Sequence, residues 1–321
     1  MRTSGKWWIS FLVAAICCGV FFSQAQAERN DVVISEQNWT GSTVICHVMK
    51  YVLEKKLNVP AKITQLNGAA TWAGMEKGDV DVFSDIWATA EAEGIKKFTK
   101  DKKVCETTLS YPKAPQGWYI PKYVQEQYKI KTINDLKGKE NLFDIGGDGK
   151  GKLWVGPSSW KVAEQNTIRI RDYGLKFEPV GVEQFAWLAT LKDLYKKKKP
   201  VIFYYWEPEW LFTQYDLVMI EEPAYDPSKW NYKEKDPANS KITCAIEPSD
   251  VLVGYPIKLK DRLPKVYQFY KNWSIPIAEV NKLISYVTDL PDKPKISAEE
   301  AAQKWVEANP KIVEGWLKGI K

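Results

Sequence analysis

The stretch Val201-Ile202-Phe203-Tyr204-Tyr205-Trp206-Glu207-Pro208-Glu209-Trp210 gathers aromatic rings and carboxylates at the end of one apolar run. β-Branched and aromatic residues make it a strand, and Pro208 ends it, lacking an amide hydrogen and biasing Glu207 away from helix. Trp206 therefore stands at the carboxyl end of a strand, where open α/β sheets place ligands. Trp87 ends a second such run, Gly78-Asp79-Val80-Asp81-Val82-Phe83-Ser84-Asp85-Ile86-Trp87. Trp160 opens a helix after the tight turn Gly156-Pro157-Ser158-Ser159. Indole faces attract a cation that cannot donate hydrogen bonds, which is how quaternary ammonium groups are recognised. The strand, turn and helix around Trp160 also offer free backbone amides and a positive dipole end, suited to a carboxylate. Three indoles beside a helix N-terminus describe a site for a zwitterion such as a betaine.

Catalytic chemistry has little to work with. The single histidine, His47, lies beside Cys46 within a helical pattern, so the two side chains diverge and make a poor nucleophile and base. No second imidazole completes a metal pair, and phosphate loops and dinucleotide fingerprints are absent, so no metal and no cofactor is expected. Asp144-Ile145-Gly146-Gly147-Asp148-Gly149 begins like a calcium loop, but Gly146 replaces a ligand and Val155 stands where a bidentate glutamate belongs. The reading from another class is a secreted carbohydrate-active enzyme or lectin, because tryptophan platforms also stack sugars. It needs two facing carboxylates, for which Asp85, Glu207 and Glu209 are the candidates.

The elements that position these residues follow from periodicity. Residues 1–27 read as a secretory signal: Arg2 and Lys6, an apolar run from Trp7 to Phe22, then Ala25-Gln26-Ala27 as a cleavage site. The formal charge of the 321-residue chain is +6, or +4 once Arg2 and Lys6 leave with the signal. The lysines are dispersed, which argues against nucleic-acid binding. Strands at Asp31–Ser35, Ala61–Leu66 and Gly78–Trp87 alternate with helices at Thr43–Leu57 and Gly68–Lys77, an α/β opening with its loops on one edge. The pattern then gives lobe 1 over residues 28–112, lobe 2 over 113–211, and the remainder of lobe 1 over 212–321, with a ligand cleft between them. Trp305 and Trp316 fall on amphipathic segments as packing residues. Cys46 reads as a small buried residue, and Cys105 with Cys244 as a disulfide in an oxidising compartment.

With these pieces assembled, the chain resembles the periplasmic glycine betaine/proline betaine-binding proteins of ABC importers, a branch of the two-lobed solute-binding superfamily. The resemblance covers essentially the whole mature chain. It is carried by Gly78-Asp79-Val80-Asp81-Val82 leading to Trp87, Gln116-Gly117-Trp118, Leu142-Phe143-Asp144 through Gly149, Gly156-Pro157-Ser158-Ser159-Trp160, and Lys199-Pro200-Val201 through Trp210. It implies a two-lobed α/β periplasmic-binding-protein fold and a non-enzymatic role in uptake. It also implies a small methylated ammonium or sulfonium ligand and a membrane permease as partner. Trp87, Trp160 and Trp206 match the cage positions, the amides of Lys161 and Val162 match the carboxylate site, and Trp39 and Trp118 are further walls. Glu207 and Glu209 depart from the less acidic residues of relatives. They leave the ligand open among glycine betaine, trimethylamine N-oxide, choline and dimethylsulfoniopropionate.

Overall fold

The computed structural model describes residues 29–288 and 294–320; the expected signal segment lies outside the described residues. Two five-stranded mixed sheets form the two lobes. The first has the order β2-β1-β3-β12-β4, with β1 at Val32–Glu36, β2 at Ala61–Gln65, β3 at Val82–Trp87, β4 at Cys105–Ala114 and β12 at Ser249–Pro256. β1 runs parallel to β2 and β3, and β12 runs antiparallel to β3 and β4. The second sheet has the order β7-β6-β8-β5-β9, from β5 (Gln116–Pro121), β6 (Lys152–Trp154), β7 (Glu178–Val180), β8 (Ile202–Trp206) and β9 (Leu217–Met219). β8 lies parallel to β6 and antiparallel to β5. A small ribbon, β10 (Trp230–Asn231) with β11 (Lys241–Ile242), precedes β12.

The central strands carry near-continuous apolar runs because helices cover both faces of their sheets. Every residue of β8 is buried. In the first lobe, helix Thr40–Lys56 packs Val44, Val48 and Val52 inward at helical spacing and ends with Lys55 and Lys56 near its negative dipole end. Helix Gly68–Lys77 is capped by Asn67, whose side chain accepts from the Ala70 amide at 2.9 Å, and stops at Gly78 in the left-handed region. Trp316 stacks on Trp273 at 4.4 Å and on Trp305 at 5.8 Å, so the two C-terminal tryptophans pack in the first core.

The chain passes between lobes at Pro115, the one residue separating β4 from β5, and the Pro115 carbonyl accepts from the Glu207 amide at 2.9 Å. The segment after residue 211, expected to return to lobe 1, first contributes β9 to the second sheet beside Tyr119–Pro121. The expected Cys105–Cys244 disulfide is absent: both cysteines are buried free thiols. Cys105 packs with Trp72, Phe83 and Phe98 in a small core of lobe 1, whereas Cys244 donates to the Asp226 carbonyl. The calcium reading of the 144–149 loop meets a carboxylate already engaged. Asp144 accepts four backbone amides, from Gly146, Gly147, Asp148 and Gly149, while Asp148 holds Lys152 at 2.7 Å.

Candidate functional site

A cavity of about 840 Å³ opens between the lobes, and the strand ends and one helix start converge on it. Trp87 comes from the end of β3, Trp206 from the end of β8, and Trp160 precedes helix Lys161–Asp172. Trp206 sits in the middle: its ring centroid is 5.1 Å from Trp160 at 71° and 6.2 Å from Trp87 at 78°. The indoles of Trp87 and Trp160 thus both stand steeply to that of Trp206 on the cavity wall, an arrangement that presents π faces from more than one direction. Gly156 makes room for it. Its φ is +99°, and a Cβ there would come within 3.0 Å of the Trp160 ring.

Trp39 joins this wall and Trp118 does not. The Trp39 ring meets Trp160 edge-on at 5.5 Å and lines the cavity. Trp118 is 0% exposed, its indole nitrogen donates to Asn166 at 2.9 Å, and Arg169 lies 4.6 Å over its ring. The reason is its depth along the strand: Trp118 pairs with Tyr204, two residue pairs from the pairing of Gln116 with Trp206, and Asn166 and Arg169 of helix Lys161–Asp172 cover it. Lys161 and Val162 both line the cavity, and their amides precede the first helical hydrogen bond, so neither has a helical acceptor.

Contacts across the cleft tie the lobes. The Trp160 indole donates to Asn38 Oδ1 at 2.5 Å, Asn38 Nδ2 donates to Glu183 at 2.9 Å, and Lys161 reaches Glu91 at 3.4 Å. Burial raises the Glu91 carboxyl above its ordinary range, with Lys161 opposing that rise.

Asp85 is the residue that sequence reasoning underused. Its sequence context suggests only one half of a glycosidase pair, yet it faces the cavity one β-period before Trp87. Its carboxylate is 1% exposed and accepts from the Trp39 indole at 2.6 Å and the Tyr111 hydroxyl at 3.3 Å. Burial pushes its pKa up to about 6 against those hydrogen bonds. An aspartate inside an apolar strand that ends in tryptophan was the available signal. Glu207 and Glu209 are not on the cavity wall. Glu209 is 2% exposed, accepts from Gln184 at 3.3 Å, and is raised by burial to about 8.

These two raised carboxyls set a pH dependence. Each holds its proton in the folded state above its unfolded pKa, so the stability it contributes is complete below that value and is lost as pH rises through the folded one. The window runs from about pH 4 to about pH 8. Unligated protein should therefore melt higher at pH 5.5 than at pH 8. Glu209→Gln, which keeps an acceptor for Gln184, should remove the upper part of that slope, worth roughly 1 kcal/mol or more. An unaltered slope in thermal melts of the variant would assign it to other groups.

Comparison with known proteins places the chain. A family model described as the substrate binding domain of ABC-type glycine betaine transport systems matches residues 30–308. The chain is 23% identical over 275 residues to a glycine betaine/proline betaine-binding periplasmic protein of Escherichia coli K12, covering 83% of this chain and 82% of that one. It is 21% identical over 317 residues to a trimethylamine N-oxide-binding protein of Pelagibacter ubique, covering 95% and 96%. Its fold is similar to that of an ABC-transporter choline-binding protein solved with choline, at TM-score 0.72 and 20% identity, covering 91% of this chain and 92% of that one.

Proposed function

We propose, from the premise that the chain belongs to the family of substrate-binding domains of ABC-type glycine betaine transport systems, that it captures a methylated onium compound in the periplasm and delivers it to a membrane permease. The single observation that carries the reading is the convergence of Trp87, Trp160 and Trp206 on one cavity between the lobes. On this reading the onium group lies among the three indoles, with Trp39 as a further wall. A ligand carboxylate, where there is one, accepts from the amides of Lys161 and Val162. The protein binds and catalyses nothing. Three cation–π faces in a desolvated cage supply about 3–6 kcal/mol, and a charge-assisted pair of amides about 1.5–3 kcal/mol. Together these approach the roughly 8 kcal/mol of a micromolar complex.

The ligands open to the cage are glycine betaine, trimethylamine N-oxide, choline and dimethylsulfoniopropionate. Calorimetric titration with all four should yield micromolar binding for at least one. Turnover of a glycoside with no response to any of them would overturn the reading. The same site makes a prediction about shape. The ligand bridges Trp87 of the first lobe and Trp206 of the second, so saturating ligand should favour the closed arrangement of the Asn38, Glu183 and Lys161 contacts. Small-angle scattering should then show a smaller radius of gyration with ligand than without. An unchanged radius despite tight binding would place the site within one lobe.

A further inference from the structure

We propose that Asp85 selects the net charge of the ligand, favouring a quaternary ammonium cation without a carboxylate, of the choline type, over a zwitterionic betaine. The inference rests on the onium reading of the cavity and adds the residue that discriminates among onium ligands. Asp85 and Trp87 are two apart on β3 and so present their side chains on one face, toward the cavity. The hydrogen bonds to Asp85 come from neutral donors, the Trp39 indole and the Tyr111 hydroxyl. Among the described residues no lysine or arginine compensates it. A buried carboxylate without a cationic partner is costly, and a ligand that brings only positive charge relieves that cost.

The rest of the wall points the same way. Its charged residues are Asp85, Glu91, Glu183 and Lys161, an excess of acid. Lys161 is engaged by Glu91 at 3.4 Å and by Glu234 at 3.3 Å. A betaine carries into this negative field a carboxylate that the field opposes, whereas a choline-type alcohol does not. The neutral amide heads of Gln37, Asn38 and Gln116 on the same wall suit a hydroxyl.

Protonation of Asp85 supplies a second handle. Burial has brought its pKa up to about 6, so acidification discharges it while the indoles are unchanged. The titratable groups packed around it are Cys46 from helix Thr40–Lys56 and Tyr111 from β4, both raised far beyond this range by burial. The other charged groups on the cavity wall are Glu91, Glu183 and Lys161, and the charge of Glu209 in the second lobe acts on Tyr111.

The test is calorimetric titration of the mature protein and of Asp85→Asn with choline and with glycine betaine, at pH 7.5 and pH 5. At pH 7.5 the variant should lose about tenfold in choline affinity and under about threefold in betaine affinity. In the unaltered protein choline affinity should fall roughly tenfold at pH 5, and that fall should vanish in the variant. Equal changes for both ligands, or a pH response that persists in Asp85→Asn, would overturn the proposal and leave the onium site standing. If the variant does not fold, the unaltered protein still decides: choline affinity that is flat or rises toward pH 5 contradicts it. Failure of choline to bind the unaltered protein overturns the proposal, and the onium reading falls with it only if glycine betaine, trimethylamine N-oxide and dimethylsulfoniopropionate fail as well.

Discussion

Trp206→Ala should cost the ligand about 2 kcal/mol of binding, roughly thirtyfold in affinity, and, because the ring is 4% exposed and packs in the second lobe's core, it should lower the unligated melting temperature as well. Trp206 occupies the centre of the aromatic wall, in edge contact with both Trp87 and Trp160, so its removal strips the cavity of the ring that the other two enclose. Trp118, its neighbour on the adjoining strand, supplies the contrast. Fully buried beneath Arg169 and Asn166, it should lose about 3–5 kcal/mol of stability as alanine, with intrinsic affinity nearly unchanged wherever the protein remains folded. Trp206→Phe keeps an aromatic face with a weaker quadrupole and should fall between Ala and the unaltered protein in affinity. The check is paired: ligand affinity by calorimetry and unligated melting temperature for each variant. A large fall in melting temperature for Trp206→Ala with affinity preserved would make that ring core rather than cage.

Arg169→Met should destabilise the protein by about 3–5 kcal/mol, the second large effect. Arg169 is 0% exposed and paired with the buried Glu222, which also accepts from the Tyr173 hydroxyl at 2.8 Å. Its other arm donates to Asn166 Oδ1 at 2.7 Å, the same oxygen that receives the Trp118 indole, and Asn166 Nδ2 donates to the Val155 carbonyl at 3.0 Å. This network anchors helix Lys161–Asp172, whose start presents Trp160 and the two open amides to the cavity. Removing Arg169 alone strands the Glu222 carboxylate away from water, whereas replacing both partners with methionine leaves no orphaned charge. Urea denaturation should therefore show the Arg169→Met, Glu222→Met double variant recovering most of the single variant's loss. A double variant as unstable as the single one would mean that Arg169 acts through packing on Trp118 rather than through charge.

The cage and the fold were unevenly legible in the sequence. Strands that end on tryptophan announced themselves because Pro208 and the polar loop after Trp87 stop apolar runs abruptly, and strand ends in such sheets face the ligand cleft. Trp160 was readable from the Gly156-Pro157-Ser158-Ser159 turn before its helix. Trp118 was not separable from these, since its type and its place in a strand are the same. What removes it from the cavity is burial under residues 166 and 169, which are distant in sequence. The acids were misplaced for a similar reason. Glu207 and Glu209 adjoin the cage in sequence, yet the turn at Pro208 directs Glu209 toward Gln184, and Asp85 from another strand becomes the carboxylate on the wall. A disulfide between Cys105 and Cys244 fitted the compartment, but Cys105 packs with Trp72, Phe83 and Phe98 while Cys244 donates to the Asp226 carbonyl, a separation that spacing does not encode.

The most direct measurement compares choline with 3,3-dimethylbutan-1-ol, a neutral carbon counterpart of the same shape, by calorimetric titration of the mature protein. A cage of Trp87, Trp160 and Trp206 beside the Asp85 carboxylate predicts that choline binds and that the neutral alcohol is weaker by about a hundredfold or more, because positive charge is what the indole faces and the aspartate recognise. Equal affinity for the two compounds would contradict the account, since the cavity would then be reading shape and apolar surface rather than charge.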